Sequence, residues 1–222
     1  MPHASLRAQA KSTAFESVYH RRMDGAAPDV TAFILAGGKS TRMGADKAFV
    51  TLDGRTLLAR ALELARGVAS DVRIVGDPVK FAAFAPVVED VFRGCGPLGG
   101  IHAALRASQT ELNLMIAVDV PFVSVALLQY LIERARSSEA PATVPRCGGG
   151  WQPLCGVYRR EFAKVAEKAL REGRYKIDAL FDAGVCEVGE EELRAGGFCV
   201  EMFRNLNTPE ELAEAGERPA RI

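Results

Sequence analysis

The chain reads as an α/β protein built on one mostly parallel sheet. Residues 30–36 form a near-continuous apolar run ended by Gly37-Gly38, the pattern of a strand buried on both faces. Behind it, Leu57, Leu58, Ala61, Leu62 and Ala65 recur at helical spacing. Strand-like and helix-like segments then alternate along the chain, and such alternation implies βαβ units and a parallel sheet.

The run at 30–36 is expected to be the first and central strand, and Gly67 is placed to stop the helix that follows. Strand-like 72–75 and 86–89 come next, then a helix over 101–107 after a glycine-rich loop, then a strand over 112–118. Ser124 can cap a helix through Leu127, Leu128, Leu131 and Ile132. Segments 142–145 and 154–158 flank a Gly148-Gly149-Gly150 turn, which predicts an antiparallel portion. The remainder predicts a helix over 162–170, a short helix over 177–181, a strand over 198–203 and a final helix from Pro209. That last helix opens with Thr208 as N-cap, Pro209 at the first position and Glu211 three residues after the cap, a capping box that needs no functional explanation. No internal repeat is present.

With 222 residues, 48% hydrophobic and 25% charged, the chain suits one domain large enough to bury a two-sided sheet. Lys plus Arg (28) equals Asp plus Glu (28), so no global positive field exists to hold a nucleic acid or an anionic membrane, and the expected partner is a small molecule. The five cysteines are an odd number without a CxxC pair or a neighbouring histidine at metal-ligand spacing, which predicts reduced thiols in a cytoplasmic protein. The most apolar stretch, 112–132, is interrupted by Asp119, Pro121, Ser124 and Gln129 and cannot be a lipid-facing helix. Residues 1–29 are basic but have no apolar core of a secretory signal, and Glu16 and Asp24 argue against a transit peptide. They are expected to be a disordered extension, with Met23 an alternative start, leaving 30–222 as the functional domain.

In open α/β sheets ligands bind beyond the carboxyl ends of the strands, so chemistry should collect there. After the first strand comes a glycine-rich loop containing Lys39, Arg42 and Lys47. Its glycines let backbone N–H groups approach a polyphosphate while the cations supply charge. Gly38-Lys39-Ser40 imitates the end of a P-loop, but Phe33 stands where the earlier glycine is required. Gly37, Gly38 and Gly44 do not fit GxGxxG either.

Leu35-Ala36-Gly37-Gly38, then Arg42-Met43-Gly44 and Asp46-Lys47, are followed in order by three further motifs. These are Glu89-Asp90 with Gly96-Pro97-Leu98-Gly99-Gly100, Asp119-Val120-Pro121, and Asn205-Leu206-Asn207-Thr208-Pro209-Glu210-Glu211-Leu212. On these motifs, covering roughly residues 30–215, the chain resembles the molybdenum cofactor guanylyltransferases (the molybdopterin-guanine dinucleotide biosynthesis protein A family) of the nucleotidyltransferase superfamily. The resemblance implies a three-layer, Rossmann-like nucleotidyltransferase architecture of the nucleotide-diphospho-sugar transferase type. It implies transfer of GMP from GTP to the terminal phosphate of molybdopterin, with release of pyrophosphate and formation of a guanine dinucleotide. Mg2+ is the implied cofactor and Asp119 its ligand. Lys47, Asp119 and Arg42 are the implied catalytic residues, and Leu35, Ala36, Gly37, Gly38, Lys47, Asp90, Asp119, Asn205 and Asn207 the implied substrate-binding ones. Transient contact with molybdoenzymes or other cofactor-biosynthesis proteins follows from the same likeness.

Asp119 ends an apolar strand, where a lone carboxylate is costly to bury without a compensating cation, although Asp also caps turns before proline. Magnesium prefers one or two carboxylates plus phosphate oxygens and water, which suits a lone Asp facing a triphosphate. Lys47 is suited to neutralise phosphoryl charge and Arg42 to grip pyrophosphate bidentately, whereas the bland alternative leaves both as solvated loop charges. Asp90 is either a nucleotide-side carboxylate or a loop Asp bonded to its own backbone. Leu98-Gly99-Gly100 opens a helix whose free N–H groups could face the ligand, or simply packs closely. Trp151, Gln152, Pro153 and Leu154 resemble the acceptor-side segment, although an aromatic on a hairpin is more often packed against the sheet. His3 and His20 lie in the extension and His102 inside a predicted helix, so no histidine is placed as a base. None is required, because a phosphate nucleophile is already anionic.

Where relatives carry Asn near the end of the second strand, this chain has Val75-Gly76-Asp77. Cytidylyltransferase relatives tend to have a second alanine where this chain has Gly37-Gly38, and the missing Cβ favours the larger guanine. Cytidylyl or sugar-phosphate nucleotidylyl transfer on the same fold is the alternative activity. A GTP-binding module that handles the cofactor without chemistry is the distant alternative.

Overall fold

The computed structural model describes residues 27–37 and 46–216. The predicted extension lies outside these up to residue 26, and residues 27–29 already belong to the first strand. Strand β1 is Ala27–Leu35, followed by a hairpin of β2 (Thr51–Leu52) and β3 (Arg55–Thr56), helix α1 (Leu57–Arg66) and strand β4 (Ala69–Val75). A short helix α2 (Pro78–Phe81) precedes β5 (Val87–Val88), helix α3 (Pro97–Ala107) and β6 (Leu112–Ala117). Helix α4 (Val125–Arg136), β7 (Ala142–Cys147), β8 (Gly150–Trp151), β9 (Cys155–Arg159) and α5 (Phe162–Arg171) follow. Last come β10 (Cys186–Gly189), α6 (Glu190–Ala195) and α7 (Pro209–Gly216).

Among the described residues eight strands form one sheet in the order β10-β7-β9-β6-β1-β4-β5, with β8 on β7. β1 pairs in parallel with both β4 and β6, whereas β9 runs antiparallel to β6 and β7. The chain leaves β1 toward β4 and β5 and then returns to β1's other side as β6. The crevice at that reversal is where an open α/β sheet binds its ligand.

Strand pleat sorts the core into two layers, since successive side chains face opposite ways. Val30, Ala32 and Ile34 join Leu112, Leu114 and Ile116 beneath α1 and α4. Phe33 and Met115, paired in register, join the opposite cluster beneath α3 and α5. This is the expected three-layer arrangement. Thr56 caps α1 by accepting from Ala59 N, and Ser124 caps α4 by accepting from Leu127 N. The five cysteines are free thiols. No helix among the described residues is long and apolar enough to cross a membrane.

Three local expectations change. Residues 198–203 are not a strand: Val200–Phe203 is a 3₁₀ turn whose amides bond locally, and Phe198 and Phe203 are both buried. Met202 N bonds to Cys199 O (3.2 Å) and Arg204 N to Glu201 O (3.1 Å), so these amides are spent within the turn and not on a neighbouring strand. The predicted helix over 177–181 is a 3₁₀ helix, Asp178–Ala183, and the predicted strand over 86–89 pairs only through Val87–Val88. The fourth parallel pairing, β10 on β7, has no counterpart in the sequence reading.

Candidate active site

The carboxyl ends of β1, β4 and β6 open together into a cleft of about 620 Å³. Leu35, Ala36, Gly37, Lys47, Asp90 and Asp119 all line it. Its floor is held by main-chain bonds between strand ends, Ala36 N to Val75 O (3.1 Å) and Val118 N to Leu35 O (3.2 Å). Gly38 and Arg42 lie outside the described residues.

Lys47 begins the 3₁₀ turn Lys47–Phe49, which Asp46 caps by accepting from Ala48 N, and the fully buried Ala48 anchors the turn to the core. Lys47 Nζ donates to Asp119 Oδ2 at 3.1 Å and to Asn207 Oδ1 at 2.5 Å. The side chains of Lys47 and Asp119 are 20% and 18% exposed, so the pair is shielded but still reachable from the cleft. Asp119 follows β6, and its carbonyl accepts from Leu206 N at 2.9 Å, which laces the 205–208 segment to the sheet end. Asn207 thus joins the site, arriving after a 3₁₀ turn rather than the predicted strand. Asn205 is exposed and makes no hydrogen bond within the described residues.

Asp90 sits against the first turn of α3. A Cβ on Gly99 would stand 2.9 Å from each Asp90 carboxylate oxygen, so the bare glycine makes the space the carboxylate occupies. Asp90 Oδ1 accepts from Phe92 N (2.9 Å), the local backbone bond expected of a loop Asp, and the residue also lines the cleft. Burial pushes the Asp90 carboxyl above its ordinary value, against the opposing pull of the Phe92 N–H. Gly96, at φ 70°, turns the chain into α3, whose N-terminus carries no side-chain cap.

A second chamber of about 400 Å³ continues from the first across Ala36, Gly37 and Gly76, bounded by Asp77, Lys80 and Phe81. Lys80 Nζ donates to Asp46 Oδ2 at 2.7 Å, tying α2 to the turn that carries Lys47. Sequence reading missed this pair, whose members are 34 residues apart with no periodic signal linking them. It also missed Leu154 as a lining residue, although Leu154 lies in the segment already singled out. His102 is buried in α3 with Phe92 edge-on to its ring and does not line the cleft.

The donor set suits a hard divalent cation. Asp119 and Asn207 oxygens converge on one point, now taken by the Lys47 ammonium, and no cluster of three or more His, Cys, Asp or Glu exists among the described residues. One carboxylate and one amide oxygen, completed by substrate phosphates and water, is the way magnesium-type ions are held at phosphoryl-transfer sites.

A glycine-rich strand end, a lysine aimed at a lone carboxylate, and a cleft at the sheet's reversal define a nucleotidyltransferase. The chain belongs to the MobA-like NTP transferase family, whose domain model matches residues 32–185. It is 37% identical over 199 residues to a protein of Desulfosudis oleivorans named molybdenum cofactor guanylyltransferase, covering 87% of this chain and 98% of that protein. A protein of the same name from Pseudomonas paraeruginosa is 34% identical over 200 residues, covering 87% and 98%. Among solved structures, the molybdopterin-guanine dinucleotide biosynthesis protein A of Archaeoglobus fulgidus superposes with a TM-score of 0.74 at 28% identity, covering 84% of this chain and 97% of that one. The 4-diphosphocytidyl-2C-methyl-D-erythritol synthase of Anaerococcus prevotii shares the fold, with a TM-score of 0.63 at 16% identity.

Proposed function

We propose that the protein transfers GMP from GTP to the terminal phosphate of molybdopterin, with Mg2+, releasing pyrophosphate and forming the guanine dinucleotide of the molybdenum cofactor. The observation that carries this reading is the Lys47 ammonium seated between Asp119 and Asn207 in a cleft also lined by Gly37, Gly76 and Gly100. The relatives' names supply the guanine and the acceptor.

In the reaction an acceptor phosphate oxygen bonds to the α-phosphorus while the bond to the bridging α–β oxygen breaks, and pyrophosphate carries off the electron pair. The nucleophile is already anionic, so positioning and charge neutralisation supply the acceleration and no side-chain base is needed. Lys47 leaves Asp119 and Asn207 and contacts the phosphoryl oxygens. Magnesium, when bound, would supply positive charge against the triphosphate. Asp119 and Asn207 would hold that ion, Asp90 orients the nucleotide, and Arg42 grips the leaving pyrophosphate. Asn205, exposed beside Asn207, is left to approach the metal or the acceptor.

Titrating GTP, CTP and ATP into the protein with Mg2+, and repeating this on Lys47→Ala and Asp119→Ala, tests donor and site together. The expected result is selective GTP binding that weakens in both variants, and pyrophosphate release from wild type with molybdopterin that Asp119→Ala abolishes. A preference for CTP would assign the cytidylyl reaction instead, and wild-type turnover by Asp119→Ala would overturn the assignment of the site.

A further inference from the structure

Helix α7 opens with a capping box in which one bond is out of place. In a capping box the third-position carboxylate accepts from the N–H of the cap residue, here Thr208. Glu211 Oε2 does so at 3.2 Å, and Thr208 Oγ1 returns the bond from Glu211 N at 3.2 Å. The same oxygen, however, accepts a shorter bond of 2.6 Å from the N–H of Asn207, the residue before the cap. The helix has no need of that bond, because Asn207 lies outside it.

Asn207 does need it. Its neighbour Leu206 is fully buried and donates its N–H to the carbonyl of Asp119 at 2.9 Å, so the main chain is fixed on that side by the Asp119 residue itself. Glu211 fixes the next amide. Two consecutive N–H groups are thus pinned, one by the residue whose carboxylate faces Lys47 and one by a carboxylate on the helix behind. Between them the Asn207 side chain reaches Lys47 Nζ, which also holds Asp119 Oδ2. The order of contacts is Glu211, Asn207 backbone, Asn207 amide oxygen, and the point shared with Asp119.

We infer that Glu211 is a positioning residue for the active site, which sets the Asn207 amide oxygen opposite the Asp119 carboxylate. The inference rests on reading Asp119 and Asn207 as the oxygens that hold the metal-bound triphosphate. Glu211 touches neither substrate nor cation and acts only through the Asn207 main chain. Groups that orient a metal ligand from behind typically change affinity or activity by about 10- to 100-fold when removed.

The test compares Glu211→Ala, Glu211→Gln and Glu214→Ala. Glu214 pairs with Arg204 (3.1 Å) on the same helix and has no bond to Asn207, so its removal costs the helix a carboxylate without touching the site. Glu211→Ala should raise the Mg2+ concentration that half-saturates GTP turnover by about tenfold, lower kcat, and leave the KM for GTP within about threefold. Glu211→Gln keeps an acceptor oxygen at the same reach and should restore most of the loss. Hydrogen exchange gives a readout that needs no substrate: the Asn207 amide should lose protection in Glu211→Ala and keep it in Glu214→Ala. Should Glu211→Ala fail to fold, Glu211→Asp, one methylene shorter, carries the same comparison. Wild-type magnesium dependence in a folded Glu211→Ala whose Asn207 amide exchanges freely overturns the inference. An equal shift in Glu214→Ala does so too, by reducing Glu211 to helix stability. A wild type that binds no nucleotide would instead sink the proposed function, while the exchange data would still report the Glu211–Asn207 bond.

Discussion

In the free protein Lys47 sits where the Asp119 and Asn207 oxygens converge, so on the proposed reading the lysine and a divalent ion compete for one place. Replacing Lys47 by Met removes the competitor and keeps an unbranched side chain one atom shorter. At 3.1 Å the gross Coulomb attraction between Lys47 and Asp119 is about 5 kcal/mol at an effective dielectric of about 20. Desolvation of both charges offsets most of this, and a charged hydrogen bond at a site about one-fifth exposed retains a net of about 1–2 kcal/mol. Lys47→Met should therefore bind Mn2+, a spectroscopic stand-in for Mg2+, about 5- to 30-fold more tightly than wild type when no nucleotide is present. With GTP the order reverses, because the variant has lost a cation that the triphosphate needs. The assay is a Mn2+ titration followed by electron spin resonance of the free ion, with and without GTP. Unchanged or weaker Mn2+ binding by nucleotide-free Lys47→Met would refute the idea that the lysine occupies the ion's place.

Three further outcomes follow from the same geometry. Burial raises the Asp90 pKa, so this group favours the folded state below its ordinary value of 3.8 and that contribution is lost as pH rises through the folded value. Asp90→Asn should therefore melt higher than wild type at pH 7, a gain that shrinks toward pH 4. Its GTP Kd should weaken by about 10- to 150-fold if a charged acceptor worth about 1.5–3 kcal/mol is lost. Burial lowers the His102 pKa, and neither ring nitrogen has a hydrogen-bond partner among the described residues, with Glu167 3.8 Å away and Asp90 and Arg106 also acting on it. A depressed base leaves stability intact above its ordinary 6.5 and loses it as pH falls below that value through the lowered folded one, so His102→Leu should flatten the melting-temperature profile on the acid side of 6.5. A Cβ on Gly76 would stand 2.8 Å from the Phe81 ring, so Gly76→Ala should cost about 1–3 kcal/mol in a thermal melt, and Phe81→Leu in the same chain should recover part of it.

The parts of the fold written most plainly in the sequence are those whose contacts are local or periodic. The run through Ile34, the spacing of Leu57 to Ala65, and the Ser124 and Thr208 caps each report their own structure because neighbours in sequence create the pattern. β10 left no such mark: only Val188 of its four residues is buried, and its pairing with β7 joins residues more than forty apart. The 198–203 segment misled because its alternating apolar residues imitate a strand, while its amides bond within a 3₁₀ turn. At the site, glycine and charge composition pointed to Gly37, Lys47, Asp90 and Asp119. The partner of Lys47 on the far side, Asn207, is 160 residues away, and only the motif likeness pointed to it. The brace behind Asn207 was hidden for a different reason: Thr208 to Glu211 satisfied a helix rule completely, which left nothing to explain.

The bond from Leu206 to the Asp119 carbonyl also sets an order in time. Among the described residues a ribosome has made every strand of the sheet by residue 189, and both faces can be covered by helices already synthesised. Yet the segment that brings Asn207 to Lys47 is made after all of them. A chain made only as far as β10 can therefore reach a nearly complete sheet while Lys47 still lacks its Asn207 partner, and the ability to handle nucleotide would follow the sheet rather than accompany it.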